Sequence, residues 1–583
     1  MTKYQEILAI FDEIYENEDV SSYRSALIEV LEAFHLPKAD QPRSDLSEKD
    51  SILISYGDAI RAENQNPLQA LTNFLKRNVK NAISTMHLLP FFPSSSDDGF
   101  SVIDLTRVDP ELGTWRDIDF LAESYDLMFD AVINHISVES EWFQAFLAGH
   151  PVYNDYFIIV DDEADIREVF RPRALPLLTA FETSGGTKRV WTTFSADQVD
   201  LNYHNPEVLI DIVKVLLAFV VHGAKFIRLD AIAYIWKDPG TSCIHLKNVH
   251  RIVQFFRAIF VHMAPFVKII TETNVPHPEN ISYFGDGTNE AQLVYNFSLP
   301  PLVLHAFHTQ SAEILAHWAK ILETPSEETH FFNFLASHDG IGVTPARGLI
   351  PDEAIQQMCD RVEALGGYVS YKDNADGSRS PYELNINYLD ALGDPSMEGE
   401  PDARIADRFL ASQAIMLVLK GVPGIYYHSL LGSRSWKEGV KLTGRNRTIN
   451  REKLDLEVLQ RELKDPNTLR HKVFNGYLEM LQARGNLSKS AFNPQGWQVI
   501  LDVDDRLMVI LRQSHEGNDS VLCFANVTQD TLSVDLSRPS LPQPKNPNWR
   551  EILSRNSSLM AVYAGLRVEI GPYGVLWLLG ERD

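Results

Sequence analysis

The sequence contains very little cysteine. Its 583 residues include three cysteines, Cys243, Cys359 and Cys523, which lie far apart and show no paired spacing. Disulfide frameworks and cysteine-ligated zinc sites both require several cysteines at characteristic spacings. Neither is therefore predicted, and we interpret the three residues as packed or idle thiols.

Basic charge is also scarce. Lys and Arg number 53 against 79 Asp and Glu, which gives a formal net charge of −26, and no sustained basic block occurs. Nucleic acids and anionic membranes are recognised through clustered positive charge. The composition therefore argues against both as main partners.

Long apolar runs are missing as well. No run reaches the roughly 20 residues that are needed to span a bilayer. The N-terminal segment MTKYQEILAIFDEIYENEDV is acidic and has a helical period, without the basic head or apolar core of a signal peptide. We therefore expect a cytoplasmic protein with no membrane partner. A homodimer is compatible with the sequence, which does not define the oligomeric state.

The sequence is rich in short apolar runs that alternate with helical patterns. Most runs are nearly continuous, as in strands that are buried on both faces of a parallel sheet. Eight strand-then-helix units predict an α/β fold, a (β/α)8 TIM barrel with inserted loop domains and a C-terminal antiparallel β-domain. The predicted strands lie in residues 51–58, 84–92, 125–135, 224–230, 267–274, 292–298, 329–339 and 421–428.

The same pattern divides the chain into seven segments. Two connections are too long to be simple loops, and alternating runs after about residue 490 indicate a terminal β-domain. The predicted segments are an N-terminal helical extension (1–50), the first part of the barrel (51–135), an inserted domain B (136–222), the middle part of the barrel (223–340), an inserted lid (341–408), the last part of the barrel (409–489) and the C-terminal β-domain (490–583).

Charged residues end several of the predicted strands. Arg228 and Asp230 share one face at the end of the run in GAKFIRLDAIAY. Taken alone, the pair favours a structural ion pair over a nucleophilic Asp230 whose pKa Arg228 keeps low. Glu272 and Asp339 end two other strands, and the strand ends of a barrel meet at its C-terminal mouth, where catalytic groups of this fold gather. This convergence favours an active site.

Three acids at one mouth suit glycoside chemistry. Retention of configuration needs a carboxylate nucleophile and a second carboxyl group as acid/base, and a third acid can favour the transition state. The motifs DAVINH, FIRLDAIAY, ITETN and ASHD resemble, in order, those of the alpha-amylase clan of glycoside hydrolases. The resemblance implies that Asp230 is the nucleophile, Glu272 the general acid/base and Asp339 the transition-state stabiliser. It also implies a sugar site shaped by His135, Arg228 and His338.

Longer stretches, such as HLLPFFPSSSDDGFSVIDLTRVDPELGTW, FRPRALPLLT and WTTFSADQVDLN, are similar to the sucrose phosphorylase-like branch of that clan. The similarity implies transfer of glucose from a small alpha-glucoside to inorganic phosphate through a covalent intermediate, with no cofactor and no metal. It places Asp97 and Phe100 in the glucose pocket and Gln198 near it. Arg173 and Arg447 are its candidates for binding phosphate.

The acceptor is defined less well. Tyr382 and Glu383, in SPYELN, are expected at the substrate site, and Glu383 stands where sucrose enzymes of the branch carry Gln, which disfavours fructose. Two accepted hydroxyl hydrogen bonds would suit a small polyol, whereas an anionic acceptor needs a cation such as Arg347 or Arg173 to offset repulsion. Alternatively, Glu383 pairs with an arginine such as Arg379. We therefore favour glucosylglycerol as substrate, with glucosylglycerate next and sucrose or sucrose 6′-phosphate as further alternatives.

Two other classes of function remain open. An alpha-glucoside hydrolase of the same fold would use water in place of phosphate, although the long insertions over the mouth favour a closed pocket over an open groove for glucans. A non-catalytic amylase-like binding subunit would be expected to lack one of the three acids. All three positions are filled.

Overall fold

Eight parallel strands form a closed barrel in the structure, a computed structural model that describes residues 4–581 apart from 17, 37–44, 162, 174, 375–377, 398, 538–547 and 562–564. Each strand pairs with its neighbours in sequence, and the first pairs with the last. The predicted TIM barrel is therefore confirmed, and each strand lies within one predicted run. The strands are β1 (Ile52–Ser55), β2 (Thr85–Leu88), β3 (Asp126–Ala131), β4 (Ala224–Leu229), β5 (Lys268–Thr271), β6 (Leu293–Tyr295), β7 (His330–Phe334) and β8 (Val422–Tyr426).

Helices cover the outside of the barrel. Helix Pro206–Val221 is typical: the Asn205 side chain accepts a hydrogen bond from the Glu207 N–H, proline occupies the first turn, and most of its apolar residues are buried. This helix packs against β4, although it falls within the predicted insertion 136–222. The longer helices that follow β1 to β8 are Pro67–Asn78, Trp115–Ala122, Pro206–Val221, Lys247–Met263, Leu299–Thr309, Glu313–Lys320, Asp402–Val418, Leu456–Lys464 and Leu469–Gln482.

The N-terminal extension contains two helices, Gln5–Ile14 and Ser21–Ala33, which pack on helices of the barrel. The Phe11 ring lies 5.8 Å from that of Phe255, and the Tyr15 hydroxyl donates a hydrogen bond to the Tyr203 carbonyl oxygen. Residues 37–44 of the predicted polar connector lie outside the described residues. The extension thus adds to the apolar layer around the barrel.

Two long connections lie over the C-terminal ends of the strands. Between β3 and β4, a hairpin forms from Leu178–Thr183 and Gly186–Trp191, and the short strands His135–Ser137 and Gln198–Asp200 pair with each other. Between β7 and β8, helix Asp352–Ala364 accompanies a small antiparallel sheet. That sheet contains Ile341–Gly342, Tyr368–Asp373 and Arg379–Asn385.

A buried lysine ties the first of these connections to the barrel. The Lys237 ammonium lies 2.5 Å from Asp200 Oδ2 and donates a hydrogen bond to Asn134 Oδ1 at 2.7 Å. Asn134 follows β3, whereas Asp200 belongs to the inserted strand Gln198–Asp200. All three side chains are buried, so the ion pair has little access to water.

We expect the substitution Lys237→Met to lower the free energy of unfolding by about 3 kcal/mol, because it leaves the Asp200 carboxylate buried without its cation. The measurement is the shift of the urea unfolding midpoint. Lys214→Met is the matched control, because Lys214 lies 2.7 Å from Asp211 but its side chain is 55% exposed. An exposed pair contributes less than about 1 kcal/mol. Equal losses in the two variants would contradict the prediction.

Six antiparallel strands form the predicted C-terminal β-domain: β9 (Trp497–Ile500), β10 (Leu507–Gln513), β11 (Ser520–Asn526), β12 (Leu532–Ser537), β13 (Asn548–Ala561) and β14 (Gly565–Glu581). Strands β9, β10, β11 and β14 lie side by side in that order, and both β12 and β13 pair with β14. Alternate side chains of β10 belong to two different cores: Leu507 and Val509 lie in the core of the β-domain, whereas Met508 and Ile510 join the core of the barrel. The sheet is thereby fixed to the barrel.

Candidate active site

The three predicted catalytic acids lie at the C-terminal ends of three barrel strands. Asp230 directly follows β4 and Glu272 directly follows β5, while Asp339 lies five residues beyond β7. The backbone N–H of Asp230 donates to the Ala131 carbonyl oxygen and that of Glu272 to the Leu229 carbonyl oxygen, both at 3.2 Å. These bonds continue the parallel ladder, so the rigid barrel itself fixes both acids at the mouth.

A buried arginine contacts two of these acids. Arg228 is 2% exposed; its Nη1 lies 2.8 Å from Asp230 Oδ1, and its Nη2 lies 3.8 Å from Glu272 Oε2. Arg228 Nη1 also pairs with Asp130, its register neighbour on β3, which accepts a bond from His87 Nε2 at 2.7 Å. Burial favours the neutral form of Asp130, but the Arg228 guanidinium and the contact with His87 outweigh it and lower the pKa of Asp130 to about 2. Arg228 is thus held in place from both sides.

Burial raises the pKa of two acids at the mouth. Desolvation raises the pKa of Glu272 to about 7 against the pull of Arg228, and the neighbouring charges of Asp230 and Asp339 add to the rise. The pKa of Asp230 is also raised, because burial and the Asp130 charge outweigh the Arg228 guanidinium. The expectation that Arg228 alone would keep the Asp230 pKa low is therefore wrong in its net result. Near neutral pH, Glu272 can exchange a proton.

The backbone between the first two acids joins them. Ala231, which follows Asp230, has a left-handed φ of 49°, and its N–H donates to Glu272 Oε2 at 3.1 Å. A left-handed conformation costs energy for a residue that carries a side chain. This strained residue therefore lies where its backbone N–H orients the Glu272 carboxylate.

Asp339 lies in a more cationic environment. Its Oδ1 atom is 2.5 Å from Arg447 Nη1, 3.7 Å from Arg451 Nη2 and 3.6 Å from His338 Nε2. Burial opposes ionisation, but Arg447 and its cationic neighbours outweigh it and hold the pKa of Asp339 well below its ordinary value. Asp339 therefore stays an anion where Glu272 can be neutral.

Glu383 is occupied by the protein. Both of its carboxylate oxygens accept hydrogen bonds from Arg447, with Nη2 at 2.9 Å from Oε2 and Nε at 3.1 Å from Oε1, and the Gly340 N–H also donates to Oε1. Glu383 is 3% exposed. An arginine pairing of Glu383 is thus observed, with Arg447 as the partner, and the carboxylate positions that arginine beside Asp339.

Other predicted residues line the same pocket around the acids. The Phe100 and His338 rings stack with centroids 4.7 Å apart. Gln198 Nε2 donates to the Phe100 carbonyl oxygen at 3.1 Å and lies 3.4 Å from Asp97 Oδ2, and His135 Nε2 approaches the same carbonyl. In the turn that presents Asp97, Gly99 has a φ of +106°, and a Cβ there would lie 2.7 Å from the Pro90 carbonyl oxygen.

Eleven of the thirteen predicted site residues line one pocket. The exceptions are Arg228, which lies beneath the acids, and Glu383, which lines an adjoining cavity. The pocket also contains Tyr234, Thr273 and Asn274, which sequence reasoning passed over although they stand in FIRLDAIAY and ITETN beside the acids. The remaining lining residues that the sequence did not suggest are Pro172, Phe194 and Ala231, and the predicted ones are Asp97, Phe100, His135, Arg173, Gln198, Asp230, Glu272, His338, Asp339, Tyr382 and Arg447.

Two searches of the described residues give negative results. Their His, Cys, Asp and Glu side chains form no group of three or more suited to holding a metal ion. None of the described helices has both the length and the apolar content that a bilayer span requires.

The fold and the pocket are those of a (β/α)8-barrel enzyme with its acids at the C-terminal mouth. Comparison with known proteins agrees. The alpha-amylase catalytic domain matches residues 72–345. The chain is 47% identical over 579 residues to a glucosylglycerate phosphorylase of Spirochaeta thermophila, covering 98% of this chain and 97% of the relative.

More distant relatives belong to the same group. A glucosylglycerol phosphorylase of Marinobacter adhaerens is 28% identical over 469 residues, covering 76% of this chain and 91% of the relative. The crystal structure of sucrose 6F-phosphate phosphorylase from Thermoanaerobacter thermosaccharolyticum superimposes with a TM-score of 0.72 at 25% identity, covering 86% of this chain and 99% of that one. The chain therefore belongs to the sucrose phosphorylase-like branch of the alpha-amylase family and is a phosphorylase, an enzyme of the glycosyltransferase type.

Proposed function

We propose that the protein is a retaining phosphorylase that transfers glucose from glucosylglycerate to inorganic phosphate, giving alpha-glucose 1-phosphate and glycerate. The observation that carries the proposal is the 47% identity, over nearly the whole of both chains, to a relative named for glucosylglycerate. The relative named for glucosylglycerol is only 28% identical. Glucosylglycerate thus replaces glucosylglycerol, which the sequence alone favoured.

The three acids divide the reaction between them. In the first step the Asp230 carboxylate attacks the anomeric carbon while the Glu272 carboxyl group donates its proton to the glycosidic oxygen, the bond to glycerate breaks, and a β-glucosyl ester forms. Phosphate then attacks the same carbon, Glu272 takes the phosphate proton, and Asp230 leaves. Two inversions give net retention. Asp339, which stays ionised, stabilises the cationic character of both transition states.

Arg173 is the cation best placed to receive an oxyanion in this pocket. The Arg447 charge is already compensated by Asp339 and Glu383. Arg173, whose side chain is 33% exposed, has the Asp97 carboxylate at 3.5 Å and the Phe194 ring at 5.6 Å. Glycerate leaves through a hydroxyl oxygen, so its carboxylate lies near the anomeric carbon that phosphate then attacks, and the two oxyanions occupy one region of the pocket in turn. We therefore assign both to Arg173 in turn, with Arg447 holding Asp339.

The substitution Arg173→Ala should raise the KM for phosphate, and for glycerate in the reverse reaction, by roughly 10- to 100-fold, the effect of a lost charge-assisted hydrogen bond. Neutral glycerol as an alternative acceptor should be affected less. Arg171→Ala is the matched control, because Arg171 lies two residues away, is exposed and does not line the pocket. Equal losses with glycerate and glycerol would reject the assignment.

The substrate itself is tested by measuring glucose 1-phosphate release, with phosphate present, from glucosylglycerate, glucosylglycerol, sucrose and sucrose 6′-phosphate in parallel. We expect kcat/KM for glucosylglycerate to exceed that for the neutral substrates, glucosylglycerol and sucrose, by about 100-fold or more, since a site built for a charged group discriminates strongly against its absence. A preference for glucosylglycerol would restore the alternative acceptor. Free glucose in place of glucose 1-phosphate would mean that water completes the second step.

A further inference from the structure

A second polar cavity, here called the basic cleft, lies far from the acids in the barrel. Its wall includes the short helix Lys80–Ala82, which comes directly before β2, so the basic cleft faces the N-terminal ends of the strands. The acids follow the C-terminal ends. Its fourteen lining residues are Arg77, Asn78, Val79, Lys80, Asn81, Ala82, Gln460, Leu463, Lys464, Phe474, Asn475, Leu478, Gln482 and Asn486.

The charge of the residues that line the basic cleft is opposite in sign to the net charge of the chain. Of the 583 residues, 79 are acidic, so fourteen residues drawn at that frequency would include about two acids. The basic cleft has none; it has three basic side chains and six amides among its fourteen residues. A cavity without acids on a protein of net charge −26 has a local potential that favours an anion.

The charged and amide groups in the basic cleft are available to a ligand. Within the described part of the chain, Arg77, Lys80 and Lys464 form no ion pair, and the side chains of Asn81 and Gln482 make no hydrogen bond. The neighbouring Lys76 shows the contrast, since its ammonium lies 3.6 Å from the centre of the Phe120 ring. Five exposed polar side chains without a protein partner, from three segments of the chain, therefore line one cavity.

We propose that the basic cleft is a second ligand site, and that its ligand is a small polyhydroxylated oxyanion such as a sugar phosphate or a hydroxy acid. The cations supply charge-assisted hydrogen bonds to a phosphate or carboxylate group. Each amide offers both donors and an acceptor, which matches the hydroxyl groups of a polyol. Glucose 1-phosphate and glycerate both have this chemistry. The site is inferred from the basic cleft alone, and only the choice of these two probes rests on the proposed function.

The test is equilibrium dialysis of alpha-glucose 1-phosphate against full-length protein that carries Asp230→Asn, which prevents glucosylation of the enzyme. Adding Arg77→Gln and Lys464→Gln should remove one bound molecule per chain. Adding Lys76→Gln, which removes a charge from the same helix outside the basic cleft, should remove none. An unchanged number of bound molecules in the Arg77→Gln, Lys464→Gln protein would overturn the proposal.

The test compares the number of bound molecules between variants that share the same reaction pocket. Its result therefore does not depend on whether that pocket itself binds glucose 1-phosphate. Failure of the proposed substrate therefore cannot be mistaken for failure of the basic cleft. With Asp230 restored, the Arg77→Gln, Lys464→Gln protein should keep the kcat/KM and thermal midpoint of the unmodified enzyme. A parallel loss of kcat/KM would overturn the placement of this ligand outside the reaction pocket.

Competition experiments test the chemical class. Inorganic phosphate and glucose, each carrying half of the required chemistry, should displace glucose 1-phosphate from the basic cleft at least tenfold less well than the unlabelled sugar phosphate does. Displacement by either at equal concentration would overturn the assignment to a polyhydroxylated oxyanion. Glycerate distinguishes the two sources, since tighter binding of glycerate supports a hydroxy acid and tighter binding of glucose 1-phosphate supports a sugar phosphate.

Discussion

Replacement of Asp230 by alanine should lower kcat for phosphorolysis by about 10⁴-fold or more, because the proposed reaction loses the atom that bonds to the anomeric carbon. The fold should persist, since Arg228 keeps Asp130 as a second partner in the barrel. Unchanged near-ultraviolet circular dichroism and a similar thermal midpoint would establish this. Turnover near that of the unmodified enzyme would show that Asp230 is not the nucleophile.

A small external nucleophile separates loss of the nucleophile from general damage. In the Asp230→Ala protein the space below the sugar is open, so azide can attack the anomeric carbon from the face that Asp230 normally occupies. One inversion in place of two should give β-glucosyl azide, which nuclear magnetic resonance distinguishes from the α anomer. An α product would contradict the position assigned to Asp230.

Replacement of Glu272 by glutamine should lower kcat/KM for glucosylglycerate by about 10³-fold, the usual contribution of a general acid. The loss should nearly vanish for fluoride release from alpha-glucosyl fluoride, whose leaving group needs no proton. The comparison of the two substrates is the measurement. Equal losses on both would assign Glu272 to binding or positioning and not to proton transfer.

The pH profile tests the same group in the unmodified enzyme. Burial raises the pKa of Glu272 to about 7. Since the proposed first step requires the protonated carboxyl group of Glu272, kcat/KM should be highest below that pH and fall as the pH rises through it. The Glu272→Gln protein, assayed with alpha-glucosyl fluoride, should lack this decline, and its persistence would locate the titrating group elsewhere.

The barrel could be predicted from the sequence because its strands are buried on both faces. A run such as AKFIRLD has apolar residues on both faces, Phe226 on one and Ile227 and Leu229 on the other, and eight such runs with helical patterns between them leave few other architectures. The ends of the runs then indicated the acids. Asp130 was missed because it stands inside the run YDLMFDAVINH, although a charged residue in an otherwise apolar strand is itself a signal of a buried partner.

What the sequence could not provide is the partner of each charge. Arg447 is 64 positions from Glu383 and 108 from Asp339, and only the folded chain brings its guanidinium between them. The sequence leaves Glu383 open between a hydroxyl acceptor and an ion pair with an arginine, because only the fold shows that Arg447 reaches both of its oxygens. The net pKa of Asp230 was misjudged for a similar reason: burial and the Asp130 charge come from neighbouring strands, which a local motif does not describe.

The division of the pocket between strands and insertions bears on how this family diversifies. Asp230 and Glu272 are attached to barrel strands, whereas Arg173 and Phe194 come from the connection after β3 and Tyr382 from the connection after β7. Mutations in the insertions can therefore alter the pocket around Arg173 and Tyr382 without displacing Asp230 and Glu272, the acids proposed to make and break bonds. Acceptor preference can thus change by remodelling these two connections while the barrel strands keep the proposed chemistry.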